Sequence, residues 1–299
     1  MSRIAITGSS GLVGSALRAN LASQGHDVVR VLRGNDSDPA ALWNPGQGWV
    51  RPGALEGCDA LVHLAGSSIG EGRWTDSRKK ELSASRVEAT RLLVDHLATL
   101  ERKPAVLVAA SAVGFYGSRG DDELTEDSPA GKDFLAGLVV DWEREVARAE
   151  TLGIRTVMLR FGVILARDGG ALTRMLLPFK LGAGGRIGNG RQWMAWVSLA
   201  DAVGAAEYAL KTESLRGPVN VTAPNPVTNA SFTKALGSAL HRPTLLPTPT
   251  FGLKLLLGRE AAEGLLLTSQ RVLPKKLQAS GFAFAHADLG GALAAALQG

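Results

Sequence analysis

The sequence predicts an α/β protein built on a doubly wound parallel sheet, with a smaller, mostly helical lobe toward its C-terminus. Three observations lead there. Short apolar runs alternate with longer amphipathic stretches as far as Arg160, the signature of βαβ units. A glycine-rich turn follows the first apolar run and opens the first amphipathic one. The chain of 299 residues holds 36 glycines but only eight Phe, six Trp and two Tyr; close backbone approaches and aliphatic packing follow from that balance.

Taken in order, Ile4–Ile6 reads as a buried strand, Leu12–Ser23 as a helix and Asp27–Leu32 as a second strand. A loop rich in Gly, Pro and Trp covers Arg33–Gly57 and leads into the strand Ala60–Leu64. Residues 76–100 read as one long helix, with Leu82, Val87, Leu92, Leu93, Leu97 and Leu100 near helical spacing, and Pro104 stops it. The strand Ala105–Ala110, a loop over 112–132, a helix over 133–152 and a strand over 154–160 follow. Glycines at 169, 170, 182, 184, 185, 188 and 190 break up 161–195, predicted as a loop-and-short-helix insert over the carboxyl edge of the sheet. A helix over 199–212 and a strand over 217–222 return to that sheet. Residues 224–299, punctuated by Pro224, Pro226, Pro243, Pro247, Pro249 and Pro274, read as short helices joined by proline turns. The expected division is a dinucleotide-binding domain over 1–165, with 199–223 returning to its sheet, and a substrate lobe assembled from 166–198 and 224–299.

Charge is uneven. Residues 1–150 carry 17 basic and 21 acidic groups, and the remainder 16 and 7, giving a formal net charge of +5. The segment 155–191 holds seven cations against Asp168 alone. No aromatic-interleaved RNA motif, zinc finger or regular basic helix accompanies them, so a small anionic ligand is preferred over nucleic acid, with a plain solvated surface as the alternative. The single cysteine, Cys58, offers no intrachain disulfide, and Met1 leads straight into an apolar strand, which together suggest a cytoplasmic protein. No uncharged run reaches the ~18 residues that a spanning helix needs, so no membrane partner is expected. Whether the chain self-associates is left open. The acidic cluster Asp121–Glu123 with Glu126 and Asp127 has no histidine at ligand spacing, and no metal is expected.

The turn Thr7-Gly8-Ser9-Ser10-Gly11-Leu12-Val13-Gly14 carries the most chemistry. Gly8 permits the tight turn, Gly11 lets backbone approach a pyrophosphate, and Gly14 lets helix pack on strand, as in a Rossmann-type site. Thr7, Gly8, Ser10, Gly11, Leu12 and Val13 are the expected cofactor contacts. An NAD site places a carboxylate at the end of the second strand, whereas an NADP site uses arginine for the 2′-phosphate. Here that strand ends at Arg33, with no carboxylate until Asp36, which favours NADP(H).

These motifs, with His63-Leu64-Ala65-Gly66 at the end of a later strand, resemble the extended short-chain dehydrogenase/reductase superfamily. The segments Gly72-Arg73-Trp74, Ser85-Arg86-Val87, Arg191-Gln192-Trp193, Trp196-Val197, Asn220–Val227, Arg242-Pro243 and Arg271–Leu277 resemble its atypical subgroup often labelled "epimerase family protein". The resemblance covers essentially the whole chain. It implies that Leu64, Ala65 and Gly66 lie beside the adenine and ribose. In the superfamily a strand-end Ser and a Tyr-x-x-x-Lys helix form the catalytic group. Ser111 fits the serine position. Neither Tyr116 nor Tyr208 has a lysine four residues on, and Leu135 and Val139 stand where Tyr and Lys belong. Arg86 stands where relatives usually carry an Asn.

Ser111 and Tyr116, five apart on a loop leaving a strand end, are therefore the candidate catalytic pair. An ordinary phenol pKa near ~10 makes Tyr116 a poor base unless a cation helps, and Arg86 or Arg160 could supply it beside the cofactor; a turn anchor is the competing reading of Tyr116. Arg191 and Trp193 are the candidate substrate contacts, an anion partner and an apolar platform. Two functions stay open: an NADP-dependent oxidoreductase or epimerase acting on a small anionic substrate, nucleotide-linked or not, and an NADP(H)-binding sensor or scaffold with little or no turnover.

Overall fold

The computed structural model describes residues 1–298. The chain begins with β1 (Arg3–Thr7), α1 (Leu12–Ser23), β2 (Asp27–Arg33), β3 (Ala41–Asn44), β4 (Trp49–Val50) and β5 (Ala60–His63). Helix α2 (Asp76–Ser83) runs through a π-helical turn, Ala84–Glu88, into α3 (Ala89–Ala98). Next come β6 (Val106–Ala112), a 3₁₀ turn over Val113–Tyr116, β7 (Glu123–Leu124), α4 (Phe134–Ala147) and β8 (Arg155–Phe161). The remainder holds β9 (Val163–Leu165), α5 (Gly170–Lys180), β10 (Trp193–Met194), β11 (Trp196–Ser198), α6 (Leu199–Lys211) and β12 (Gly217–Val221). It ends in β13 (Val227–Thr228), α7 (Asn229–Ala239), α8 (Thr250–Leu257), α9 (Arg259–Leu265), β14 (Arg271–Val272), α10 (Lys275–Ala279) and α11 (Leu289–Gln298).

Eight strands form the main sheet in the order β12-β8-β6-β5-β1-β2-β3-β4. All neighbours are parallel except β3 and β4. Both faces are covered, which is why the strands read as continuous apolar runs. Period-two alternation splits them: Ala5, Leu61, Leu107, Ala109 and Met158 pack under Leu93, Leu97, Leu138 and Trp142 of α3 and α4. Ile4, Ile6, Val62, Val108, Val157 and Leu159 pack on the other face under Leu17, Leu21, Ala202, Ala205 and Ala209 of α1 and α6. A third cluster, with Leu172, Phe179, Trp196, Phe232, Leu236 and Leu293, forms the core of the later segments.

One stretch departs from expectation. The loop foreseen over Arg33–Gly57 contains the β3–β4 hairpin, which extends the sheet beyond β2. The cause is Trp43, 2% exposed, which buries its indole edge-on against His63 with ring centroids 5.9 Å apart. Its burial outweighs the turn-forming Gly and Pro around it. Among the described residues no helix is long and apolar enough to cross a membrane.

Candidate active site and cofactor cleft

Strand order reverses between β1 and β5, and in open α/β sheets the crevice outside the carboxyl ends at such a point is where ligands bind. Gly8 sits there with φ 66°. A Cβ on it would stand 2.7 Å from the Leu64 carbonyl carbon and 2.8 Å from the Ala65 nitrogen, so glycine alone lets the two strand ends meet. A Cβ on Gly14 would fall 2.1 Å from the Gly8 carbonyl oxygen. Gly11 is different: its Cβ would meet only that oxygen, at 3.3 Å, and otherwise open space.

Helices α2, α4, α6 and α7 are capped by the side chains of Thr75, Asp133, Ser198 and Thr228. Helix α1 starts at Gly11 with no side-chain cap and no acidic residue in its first turn. The amides at Leu12 and Val13, with the helix dipole behind them, are left for an anion. This cradle fits a dinucleotide pyrophosphate. Ser10 is exposed at its rim.

Thr7 lies beneath the turn, wholly buried. Its Oγ1 is 2.7 Å from His63 Nδ1 and accepts the Leu64 amide at 3.2 Å. His63 Nε2 is 3.0 Å from Thr90 Oγ1, which also accepts the Trp142 indole N–H. Burial pulls His63 down to about 4, so its ring is neutral and has one N–H; one threonine donates to it and the other accepts. The network locks β1, β5, α3 and α4 together under the crevice.

Arg33 is exposed at the end of β2. Arg30, which the sequence reading passed over, donates from Nε to Ser9 Oγ at 3.5 Å and brings a second guanidinium to the glycine turn. Its signal was present: another arginine, three residues earlier on the same strand.

Arg86 sits in the π-helical turn beside Gly66, where a Cβ would lie 3.4 Å from its Cζ. It donates to the Ser67 carbonyl at 2.9 Å and stands 5.4 Å over the Trp142 ring. No carboxylate pairs with it among the described residues, and burial, with Arg78 nearby, pulls it down to about 10. The carbonyls of Ser67, Ser68, Ile69 and Gly70 thus receive donors in turn from Arg86, Arg78, Trp74 and Arg174. Arg174 belongs to α5, whose N-cap Gly169 faces the Leu12 side chain. Helix α5 therefore joins the glycine turn to the loop after β5.

Ser111, in register with Arg160, closes the far wall. Its hydroxyl donates to Glu143 Oε1 at 2.5 Å, and Arg160 grips both oxygens of Glu143 at 2.7 Å each. Arg160 also donates to the Tyr116 hydroxyl at 3.0 Å and lies over the Phe115 ring. Tyr116 is wholly buried, and its hydroxyl donates to Asn220 Oδ1 at 2.7 Å. Burial pushes this phenol up to about 12, against the opposing pull of Arg160. Ser111, Tyr116 and Arg160 are thus brought together, with Glu143 and Asn220 as the members that sequence reasoning missed. Glu143 had a signal, since it lies one helical turn beyond Val139 and two beyond Leu135 on the same face; Asn220 opens one of the segments that carry the resemblance, but nothing in the sequence pairs it with Tyr116, 104 residues away.

Arg191 and Trp193 lie beyond the loop that leaves β6. A cavity of about 400 Å³ is lined there by Asp121, Asn189, Arg191, Gln192, Thr250 and Ser269, among others. The Arg191 guanidinium has no partner among the described residues. The Trp193 indole N–H donates to Asp121 Oδ1 of that cavity's lining at 2.8 Å, with Arg271 4.7 Å from the ring centroid. Among the described residues no group of three or more His, Cys, Asp or Glu is placed to hold a metal ion.

A parallel sheet of this order with an uncapped glycine turn at its reversal defines a Rossmann-type protein of the short-chain dehydrogenase/reductase kind. Residues 4–221 match the model of the NAD dependent epimerase/dehydratase family, and 248–296 match a domain of unknown function, DUF1731. The chain belongs to that epimerase/dehydratase family. "Epimerase family protein Mb2239" of Mycobacterium bovis is 44% identical over 291 residues, covering 97% of this chain and 96% of that one. The crystal structure of human epimerase family protein SDR39U1 (isoform2) with NADPH superposes with a TM-score of 0.90 at 34% identity, covering 99% of each chain. A nucleoside-diphosphate sugar epimerase from Corynebacterium glutamicum gives 0.80 at 37% identity, covering 99% of this chain and 58% of that one.

Proposed function

We propose that the protein binds NADP(H) in the crevice between β1 and β5 and acts as an oxidoreductase or epimerase on a small anionic substrate, nucleotide-linked or not. The observation that carries this reading is the uncapped, acid-free start of α1 at Gly11 with Arg33 exposed at the end of the neighbouring strand. The NADPH of the human structure supports the same choice. When bound, NADP(H) supplies or takes the hydride. The amides of Leu12 and Val13 hold the pyrophosphate, Leu64, Ala65 and Gly66 flank the adenosine, and Arg33 meets the 2′-phosphate. Arg86 offers an uncompensated cation beside them. Ser111, held by Glu143, orients the substrate; Tyr116, held by Arg160 and Asn220, is the second proton-bearing group of that wall. Residues 166–198 and 224–299 act as the substrate lobe, where Arg191 meets the anionic group.

The test of the cofactor assignment is calorimetry with NADPH and NADH. NADPH is expected to bind at least about tenfold more tightly, and Arg33→Ala to remove most of that preference, about 1.4 kcal/mol. Equal affinities for the wild type would overturn the assignment.

A sensor or scaffold is the second reading, and one observation favours it. Leu135 and Val139, 6% and 3% exposed, pack against Gly114 where an acid/base pair would be needed. Comparing Ser111→Ala and Tyr116→Phe in any assay where the wild type turns over NADPH with an aldehyde or ketone separates the two. A loss of about a hundredfold in either, the scale of general acid/base assistance, is the expected result for an enzyme. Full rate in both variants would leave the sensor reading standing.

A further inference from the structure

We propose that the surface formed by the C-terminal end of α5, the 181–188 loop and the segment 245–256 docks on a bilayer rich in anionic lipid. Apart from Met1, the exposed large hydrophobic side chains of the described residues all lie here: Leu177, Leu181, Leu245, Leu246, Phe251, Leu255 and Leu256, each between 64% and 89% exposed. Helix α8 buries none of its residues, although Phe251, Leu255 and Leu256 follow helical spacing. The segments are contiguous. Arg242 donates to the Lys180 carbonyl at 2.9 Å, Thr248 donates its amide to the Arg186 carbonyl at 2.8 Å, and a Cβ on Gly185 would fall on the Leu246 carbonyl oxygen.

The charge around these side chains selects the occupant. No Asp or Glu occurs over 169–200 or over 214–259. Lys180, Arg186 and Arg242 have no carboxylate partner among the described residues. A second copy seated on this face would set cations against cations, and nucleic acid has no use for seven projecting apolar side chains. Lys254 of α8 pairs with Glu263 and Arg174 of α5 with Glu71, but the exposed Lys180, Arg186 and Arg242 are left over. Leucines and a phenylalanine that project beside such unpaired cations match an anionic interface, where acyl chains take the apolar groups and headgroups take the cations. Lying on a membrane differs from spanning one, so the absence of a spanning helix among the described residues does not bear on it. The inference does not depend on the cofactor or on turnover.

The experiment is flotation of the full chain with vesicles of phosphatidylcholine alone and of phosphatidylcholine with equimolar phosphatidylglycerol. Binding at least about tenfold stronger to the anionic vesicles is expected, falling as salt is raised. Leu255→Glu with Leu256→Glu, and separately Lys180→Glu with Arg186→Glu, each lower that binding about tenfold or more with the unfolding midpoint unchanged, because all four positions are on the surface. No binding to either vesicle overturns the proposal, as does equal, salt-insensitive binding to both. A wild-type dimer that the leucine variant converts to monomer, without vesicle binding, overturns it in favour of a second copy.

Discussion

Gly11→Val abolishes binding of either dinucleotide and leaves a folded protein. Gly11 has φ −76° and ψ 176°, extended backbone that valine adopts readily. Its new Cβ meets one carbonyl oxygen at 3.3 Å and no other atom within 4 Å outside its chain neighbours, so the fold has little to resist. The γ-methyls then fill the space where a pyrophosphate must reach the first amides of α1. A loss of about a hundredfold or more, about 2.7 kcal/mol, is the expected calorimetric result, with a thermal midpoint near that of the wild type. The same substitution at Gly8 makes a control with the opposite character, because φ 66° and a backbone atom 2.7 Å away attack the fold itself. A folded Gly11→Val protein that still binds NADPH would place the ligand elsewhere.

Glu143→Ala costs about 3–5 kcal/mol of stability, the penalty for stranding a buried charge. The Arg160 side chain is 3% exposed and that of Glu143 10%, so neither is hydrated once its partner is gone. Ser111 loses its acceptor in the same step. Glu143→Ala combined with Arg160→Met recovers much of the loss, since an unbranched apolar chain can lie under Phe115 without a counter-ion. Urea unfolding of the single and double variants measures both numbers. A single variant within about 1 kcal/mol of the wild type would mean that water reaches Arg160 and that the wall is open.

The sheet was legible because its strands are buried on both faces and its first helix begins at a glycine turn. Leu12–Ser23 was foreseen to the residue. The long helix over 76–100 was visible through its leucines, but not the π-helical turn that places Arg86, since one added residue hardly disturbs apolar spacing over six turns. Trp43 was hidden among Gly and Pro, where local turn chemistry conceals a packing event. Within the candidate wall, Ser111 could be read from its strand and Tyr116 from being one of two tyrosines. Their partners could not: Asn220 reaches Tyr116, and the Glu126 carboxylate reaches the Asn220 amide, across gaps of about a hundred residues. Helix α8 looked like any lobe helix, and its apolar residues gave no sign of being left outside.

The contacts of α5 bear on how the protein is made. The glycine turn emerges from the ribosome well before α5, yet Leu12 meets Gly169 and the loop after β5 receives Arg174 only when those residues exist. At a synthesis rate of ~5–20 residues per second, that interval lasts roughly ten to thirty seconds. Through it the start of α1 stands unroofed, and Glu207 has yet to be made to accept the Asn20 side chain. The glycine turn is thus made long before it is enclosed, so a nascent chain carries that turn while lacking the contacts that roof it.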